Sequence, residues 1–270
     1  MCGAGVATGT TAVMASRFAG LAAGVLIVTA TLTAPSASAE PIPVVTPVVL
    51  VEIPHDPNAY TEAFEVEGNT LYEASGLAGR SDLREVDPNT GVVRRSVPLP
   101  DDYFAEGITI VDDTIWQLTY QDGVAIIWDK ATLTPLREIP VTGEGWGLCR
   151  DGDRFIMSDG SGRLQFRKLG SFEQTGAVNV TRDGVPVTGL NELECVNGQV
   201  WASLWPTDEV ARIDPATGAI NLIVDVSSLW KFGQRSVAQV FSGIAHLDGE
   251  EFLLTGKNWP AMYRVSIPGA

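Results

Sequence analysis

The sequence predicts an all-β chain folded as a five-bladed β-propeller, its ring closed by an N-terminal strand that joins the last blade. Three observations carry this. Short apolar runs alternate with Asp, Asn and Gly turns along most of the 270 residues. Five copies of a strand-hairpin-strand pattern follow one another in phase, with Leu71-Tyr72-Glu73, Ile115-Trp116-Gln117, Phe155-Ile156-Met157, Val200-Trp201-Ala202 and Phe252-Leu253-Leu254 each just after a hairpin. The central residues of those triplets, Tyr72, Trp116, Ile156, Trp201 and Leu253, are 44, 40, 45 and 52 positions apart, the span of one four-stranded blade.

The hairpins themselves are Glu67-Gly68-Asn69, Asp112-Asp113, Asp151-Gly152-Asp153, Asn197-Gly198 and Asp248-Gly249. Further turns stand where a third strand hands over to a fourth: Asp87-Pro88-Asn89-Thr90-Gly91, Asp129-Lys130-Ala131-Thr132 and Asp214-Pro215-Ala216-Thr217-Gly218. The last repeat ends at Ile267 after three strands, and one strand, Val48 to Ile53, precedes the first repeat. That early strand is expected to supply the missing fourth, which removes the open edge. No segment sustains a 3.6-residue apolar period, so helix should be scarce, with Val226 to Phe232 forming at most a short turn. A β-sandwich would also alternate, but gives no reason for five in-phase copies.

Residues 1–39 read as a cleaved export signal. Arg17 is their only charge, Leu21 to Leu32 is apolar, and Ala37-Ser38-Ala39 is an A-x-A-type cleavage site before Glu40. Met14 is an alternative start, placing Arg17 near the N-terminus. Residues 40–270 are then a single propeller domain, secreted or held in the cell envelope, with no membrane association after cleavage and taken as a monomer. Thirty-three acids against 18 bases give a charge of −15, a field that repels nucleic acid and anionic lipid. Beyond the signal only Cys149 and Cys195 remain. Each lies in the first strand of its own repeat, and equivalent points of adjacent repeats need not come within disulfide reach. The two thiols therefore read either as a bridge or as two small core side chains.

Two columns of the repeat gather polar and aromatic residues. Ten positions before each central residue stand Glu62, Glu106, Trp146, Asn191 and Gly243; four positions after it stand Gly76, Tyr120, Gly160, Trp205 and Lys257. Because neighbouring strands run antiparallel, the start of a first strand and the end of a second lie at the same end of the blade. The columns therefore form one ring. Trp116 and Trp201, mid-strand, read as blade packing, and Glu192 and Glu194 as turn caps or interblade hydrogen-bonding groups. Other chemistries fail on inventory. With only His55 and His246, neither a three-His metal site nor a Ser-His-Asp triad can be assembled, and no G-x-S-x-G, P-loop or G-x-G-x-x-G occurs. Asp159 and Asp208 read as turn caps rather than calcium ligands, so no metal and no cofactor is expected.

LYEASGLAGRSDLREVD, FAEGIT, QLTY, GWGL, SDGS, NELECVNGQVWASLWPTD, FSGIAH and TGKNWPAMYRV, in order from His55 to about Val265, resemble the blocks of glutamine cyclotransferases of the plant and bacterial type. The resemblance implies a five-bladed propeller that converts N-terminal glutamine of peptides into pyroglutamate with release of ammonia, without a catalytic metal. It puts the family's catalytic glutamate on Glu73 and its lysine on Lys257. Asn191 and Trp205 become substrate-binding, and Tyr60, Glu62, Glu106, Tyr120 and Trp146 join them in the pocket. Two departures stand out: Tyr60-Thr61-Glu62-Ala63 puts an acid where the family commonly has the glutamine of FTQG, and Tyr120-Gln121 replaces the Trp-Lys of QLTWK. Glu73 is expected to take the amine's proton and return it to the departing nitrogen. The alternatives are a secreted non-catalytic propeller that binds peptides or proteins, and a calcium-dependent lactonase-like propeller.

Overall fold

The computed structural model describes residues 41–270, together with positions 9, 10, 12, 15 and 16. The expected export signal and its cleavage point lie outside the described residues. Contacts set off Ala39–Ala270 as one unit, and that unit is a five-bladed β-propeller. The first blade is built from Thr61–Glu67, Thr70–Ser75, Asp82–Val86 and Val93–Pro98, and the second from Ala105–Val111, Thr114–Thr119, Val124–Asp129 and Thr134–Pro140. The third comprises Leu148–Asp151, Arg154–Met157, Arg163–Lys168 and Gln174–Asn179, and the fourth Leu190–Val196, Gln199–Leu204, Glu209–Ile213 and Ile220–Asp225.

The fifth blade has three strands from the C-terminal part, Phe241–Asp248, Glu251–Gly256 and Ala261–Ser266, and takes Val48–Pro54 as its outer strand, antiparallel to Ala261–Ser266. The ring is closed as the unpaired early strand required. Val44–Val45 adds a short parallel strand to the outer edge of the fourth blade. The single described helical segment is a 3₁₀ turn, Ser227–Leu229, in the long fourth-to-fifth connection that made the last repeat spacing 52.

The core is divided: five apolar clusters fill the five wedges between blades. Trp116 packs on Phe155 between the second and third blades, and Trp201 on Phe252 between the fourth and fifth, with ring centroids 4.7 and 4.9 Å apart. Ile53, Phe64, Leu71 and Met262 fill the wedge where the ring closes. Each mid-strand tryptophan of the repeat is thus one half of an interblade contact.

Cys149 and Cys195 form a disulfide with Cα atoms 5.5 Å apart. The pair is therefore a bridge, not two separate core side chains. Both cysteines sit on innermost strands, which converge on the propeller axis, so equivalent points of adjacent blades do come within reach there.

Candidate active site

Four of the five innermost strands carry a β-bulge near their first residues: between Thr61 and Ala63, Ala105 and Ile108, Leu190 and Leu193, and Phe241 and Ile244. A bulge interrupts the alternation of a strand and re-aims a side chain. Glu62, Glu106 and Asn191 sit inside three of these bulges, and all three line a cavity of about 160 Å³ at that end of the propeller. That is well below the roughly 300–1,000 Å³ of pockets for drug-sized ligands and suits a small group such as one residue at a chain end.

Lys257, from the end of a second strand in the fifth blade, completes the polar floor. Its Nζ is 2.5 Å from Glu62 Oε2 and 4.8 Å from the centre of the Tyr60 ring. Glu62 is 1% exposed and Glu106 5%. Burial raises the Glu62 carboxyl above its ordinary range, although the Lys257 charge pulls it back down. Burial, and then the Glu62 charge, push Glu106 well above that range. Burial alone would lower the lysine, but the charges of Glu62 and then Glu106 raise it. Two buried carboxyl groups facing one cavity beside a single lysine disfavour a second negative charge, which favours a proton on one of them. Lys257 pairs with Glu62 and not with Glu106, so the pair favours the charge on Glu62 and the proton on Glu106. Glu62 Oε1, Glu106 Oε2 and Asn191 Nδ2 are buried with no hydrogen-bond partner among the described residues, which leaves them free to meet a ligand.

The wall is aromatic and continuous. Ring centroids run Tyr60 to Phe104 at 6.2 Å, Phe104 to Tyr120 at 5.7 Å, Tyr120 to Trp146 at 6.2 Å and Trp146 to Trp205 at 5.9 Å. Trp146 is fixed by donating its indole N–H to Glu144 Oε2 at 3.0 Å. Trp205, 46% exposed, stands at the mouth. The glycines of the rim column make room for this wall. A Cβ on Gly76 would lie 2.5 Å from the Phe104 ring, and one on Gly160 2.6 Å from the Trp146 indole.

Of the nine residues expected in the site, eight line this cavity: Tyr60, Glu62, Glu106, Tyr120, Trp146, Asn191, Trp205 and Lys257. Glu73 does not. It is the third residue of its triplet, equivalent to Gln117, Met157, Ala202 and Leu254, all of which are buried mid-strand. Its Oε1 lies 3.0 Å from His55 Nε2 and accepts a hydrogen bond from Thr61 Oγ1 at 2.7 Å. Two lining residues lie outside the columns, at one further shared offset: Tyr60, twelve positions before Tyr72, and Phe104, twelve before Trp116, of which only Phe104 is not among the expected site residues.

Glu192 and Glu194 answer a different need. An innermost strand presents an unpaired edge to the channel, and buried N–H groups there must find acceptors. Glu192 Oε1 accepts from Phe64 N at 3.1 Å and Glu194 Oε1 from His246 N at 3.2 Å, linking the fourth blade to the first and fifth. Asp159 accepts from Ser161 N and Gln165 Nε2, and Asp208 pairs with Arg235. Among the described residues no three carboxylate, imidazole or thiol groups are arranged to hold a metal ion.

Fold and cavity together define a class: a five-bladed propeller with two buried acids and a lysine set behind an aromatic wall, in a pocket the size of one terminal residue. A family profile described as glutamine cyclotransferase matches residues 22–267. A glutaminyl-peptide cyclotransferase of Arabidopsis thaliana is 34% identical over 229 residues, 82% of this chain and 71% of the plant protein. The crystal structure of Myxococcus xanthus glutaminyl cyclase superposes with a TM-score of 0.78 at 31% identity, covering 84% of this chain and 97% of the Myxococcus chain. The chain belongs to the glutamine cyclotransferase family.

Proposed function

We propose that this protein cyclises the N-terminal glutamine of peptides and proteins to pyroglutamate, releasing ammonia. The observation that carries the reading is the small cavity in which two buried carboxyl groups, an unpartnered amide donor and a buried lysine converge. The α-amine and the γ-carboxamide of glutamine belong to one residue, so the main requirements are a folded conformer and a route for protons. The ring of Tyr60, Phe104, Tyr120, Trp146 and Trp205 compresses the side chain so that amine and γ-carbon meet. Amide ions do not leave unprotonated, and Glu106, holding its proton at neutral pH, supplies one to the departing nitrogen. Its carboxylate then takes the surplus proton from the ring nitrogen and is ready again. Asn191 Nδ2 donates to a substrate carbonyl, and Lys257 offsets the charge that develops on the γ-oxygen.

The peptide continues out past Trp205. The signal-like N-terminus and the Cys149–Cys195 bridge support work outside the cytoplasm, where disulfides persist. The test is incubation of residues 40–270 with several glutamine-initiated peptides, followed by mass spectrometry. Loss of the mass of one ammonia from the N-terminal residue is expected; intact peptides throughout would refute the reading.

A further inference from the structure

We infer that Glu62 is a second proton-transfer group in this site, the base that takes a proton from the incoming α-ammonium while Glu106 serves the departing nitrogen. The inference deepens the cyclase reading and rests on it. An N-terminal α-amine titrates near pH ~8, so at neutral pH it arrives mostly as the ammonium form, which cannot attack a carbonyl. For the abundant ammonium form to bind productively, a group in the cavity has to take its proton before the ring closes.

The geometry singles out Glu62. It lies in its bulge with Oε2 on Lys257 and with Oε1 enclosed and unpartnered among the described residues, facing the same space as Glu106 Oε2 and Asn191 Nδ2. An ammonium brings N–H donors and needs an acceptor. Asn191 Nδ2 and Lys257 are donors; the hydroxyls of Tyr60 and Tyr120 and the Asn191 carbonyl oxygen can accept a hydrogen bond but are far too weakly basic to keep a proton, and Glu106 favours its protonated form.

The charged and titratable groups around Glu62 agree. Burial raises it, Lys257 from the fifth blade pairs with it at 2.5 Å and favours its charged form, and Tyr60 flanks it on its own segment with its phenol raised by burial. Glu106 from the second blade and Glu192 from the fourth are pushed well up by burial, which favours their neutral forms, and Glu144, in the connection between the second and third blades, lies beyond Glu106. Glu62 is therefore the carboxylate in the cavity that can act as a base.

The steps balance. A substrate N–H bond breaks and an O–H bond forms on Glu62, leaving a neutral amine. That nitrogen bonds to the γ-carbon as the γ C=O electron pair moves onto oxygen. The pair returns as the C–N bond to the old amide nitrogen breaks, with the Glu106 proton passing to that nitrogen. Glu106 recovers its proton from the ring nitrogen, and Glu62 returns its own to the released ammonia as ammonium. Lys257 stays protonated throughout.

The experiment is the pH profile of kcat/KM for ammonia release from Gln-Ala amide, wild type against Glu62→Gln, with thermal melts confirming that both are folded. Glutamine keeps the shape and still offers Lys257 an oxygen, but cannot take a proton. Wild type should stay active well below pH ~8, whereas Glu62→Gln should lose about tenfold per pH unit below ~8 and approach wild type near pH ~9. Profiles of the same shape, at whatever height, overturn the inference. Wild type alone gives a second test that survives a misfolded variant. Its acid limb should stay in place when Gln-Ala amide is replaced by free glutamine, whose amine is more basic; a limb that moves with the substrate amine overturns the inference. Absence of ammonia from wild type with every substrate overturns the cyclase reading itself, and this inference with it.

Discussion

His55 Nε2 and Glu73 Oε1 stand 3.0 Å apart with both side chains 1% exposed, at the point where the propeller ring closes. His55 directly follows the closing strand, its Nδ1 lies 2.8 Å from the carbonyl oxygen of Trp259 in the fifth blade, and Glu73 belongs to the first. With a carbonyl oxygen on one ring nitrogen and a carboxylate on the other, both nitrogens must donate, so the imidazole is charged. Burial alone would lower the histidine and raise the glutamate, but each partner's charge outweighs it: His55 is raised and Glu73 lowered. The neighbouring Asp56 is tied to Arg84 at 3.1 Å. This is a latch joining the first and last blades.

Breaking one side of a buried pair leaves an uncompensated charge, which costs about 3–5 kcal/mol. Glu73→Ala should therefore lower the melting temperature by roughly 2–4 °C per kcal/mol lost. Measured well below its melting point, the variant should turn over substrate at close to the wild-type kcat. An unchanged melting temperature, or a folded Glu73→Ala protein with turnover reduced a hundredfold, would restore Glu73 to the chemistry.

The position of Glu73 shows what the repeat makes legible and what it does not. Blade number, closure and the ring of Glu62, Glu106, Trp146, Asn191, Tyr120, Trp205 and Lys257 all follow from residues at fixed offsets, because in-phase copies place equal offsets at equal depth. Resemblance draws Glu73 into the site, yet its offset places it with Gln117 and Met157 inside the wedges. The bulges at Glu62, Glu106 and Asn191 are not legible: no turn residue announces them, and they arise from how innermost strands crowd the axis. The same crowding brings Cys149 to Cys195, which spacing along the chain does not reveal.

Stability should fall as pH rises from mildly acidic to alkaline. Burial, with the charges of neighbouring acids, raises Glu192 and Glu194 well above the usual range. Glu65 is partly exposed as a residue, but its carboxyl is enclosed and is pushed up to about 8 by burial. A group raised in the folded state holds a proton that the unfolded chain releases near pH ~4.3. Its contribution is complete below that value and is lost as pH climbs through the folded one. His55, also raised, acts in the same direction from pH ~6.5 upward, while lowered Glu73 opposes it only in acid. Melting temperatures between pH ~5 and pH ~9 should decline, and Glu65→Gln should flatten the decline. A profile that rises toward the alkaline end would contradict the buried neutral acids.

Trp205 should affect binding rather than chemistry. It is the most exposed member of the wall, touching the cavity through its edge-on contact with Trp146. Trp205→Ala should raise KM about tenfold, equivalent to about 1.4 kcal/mol, with kcat and melting temperature little changed. A loss confined to kcat would mean that the indole acts on the transition state and not on the peptide at the mouth.

Glu106 is where a single isosteric change separates chemistry from architecture. Its carboxyl is raised well above the ordinary range by burial and then by the charge of Glu62, which favours the neutral form. Glutamine therefore replaces it with no change of charge and retains an N–H donor toward Glu62, so Glu106→Gln should fold and melt as wild type does. Proton transfer to the departing nitrogen contributes about 10²–10⁴-fold, and kcat should fall by at least about a hundredfold across the pH range. The wild-type enzyme should lose activity as pH rises through the raised Glu106 value, because the acid form disappears there. That alkaline limb should be missing from the residual activity of Glu106→Gln. Near wild-type turnover in the folded variant, or an unaltered alkaline limb, would show that another group delivers the proton to ammonia.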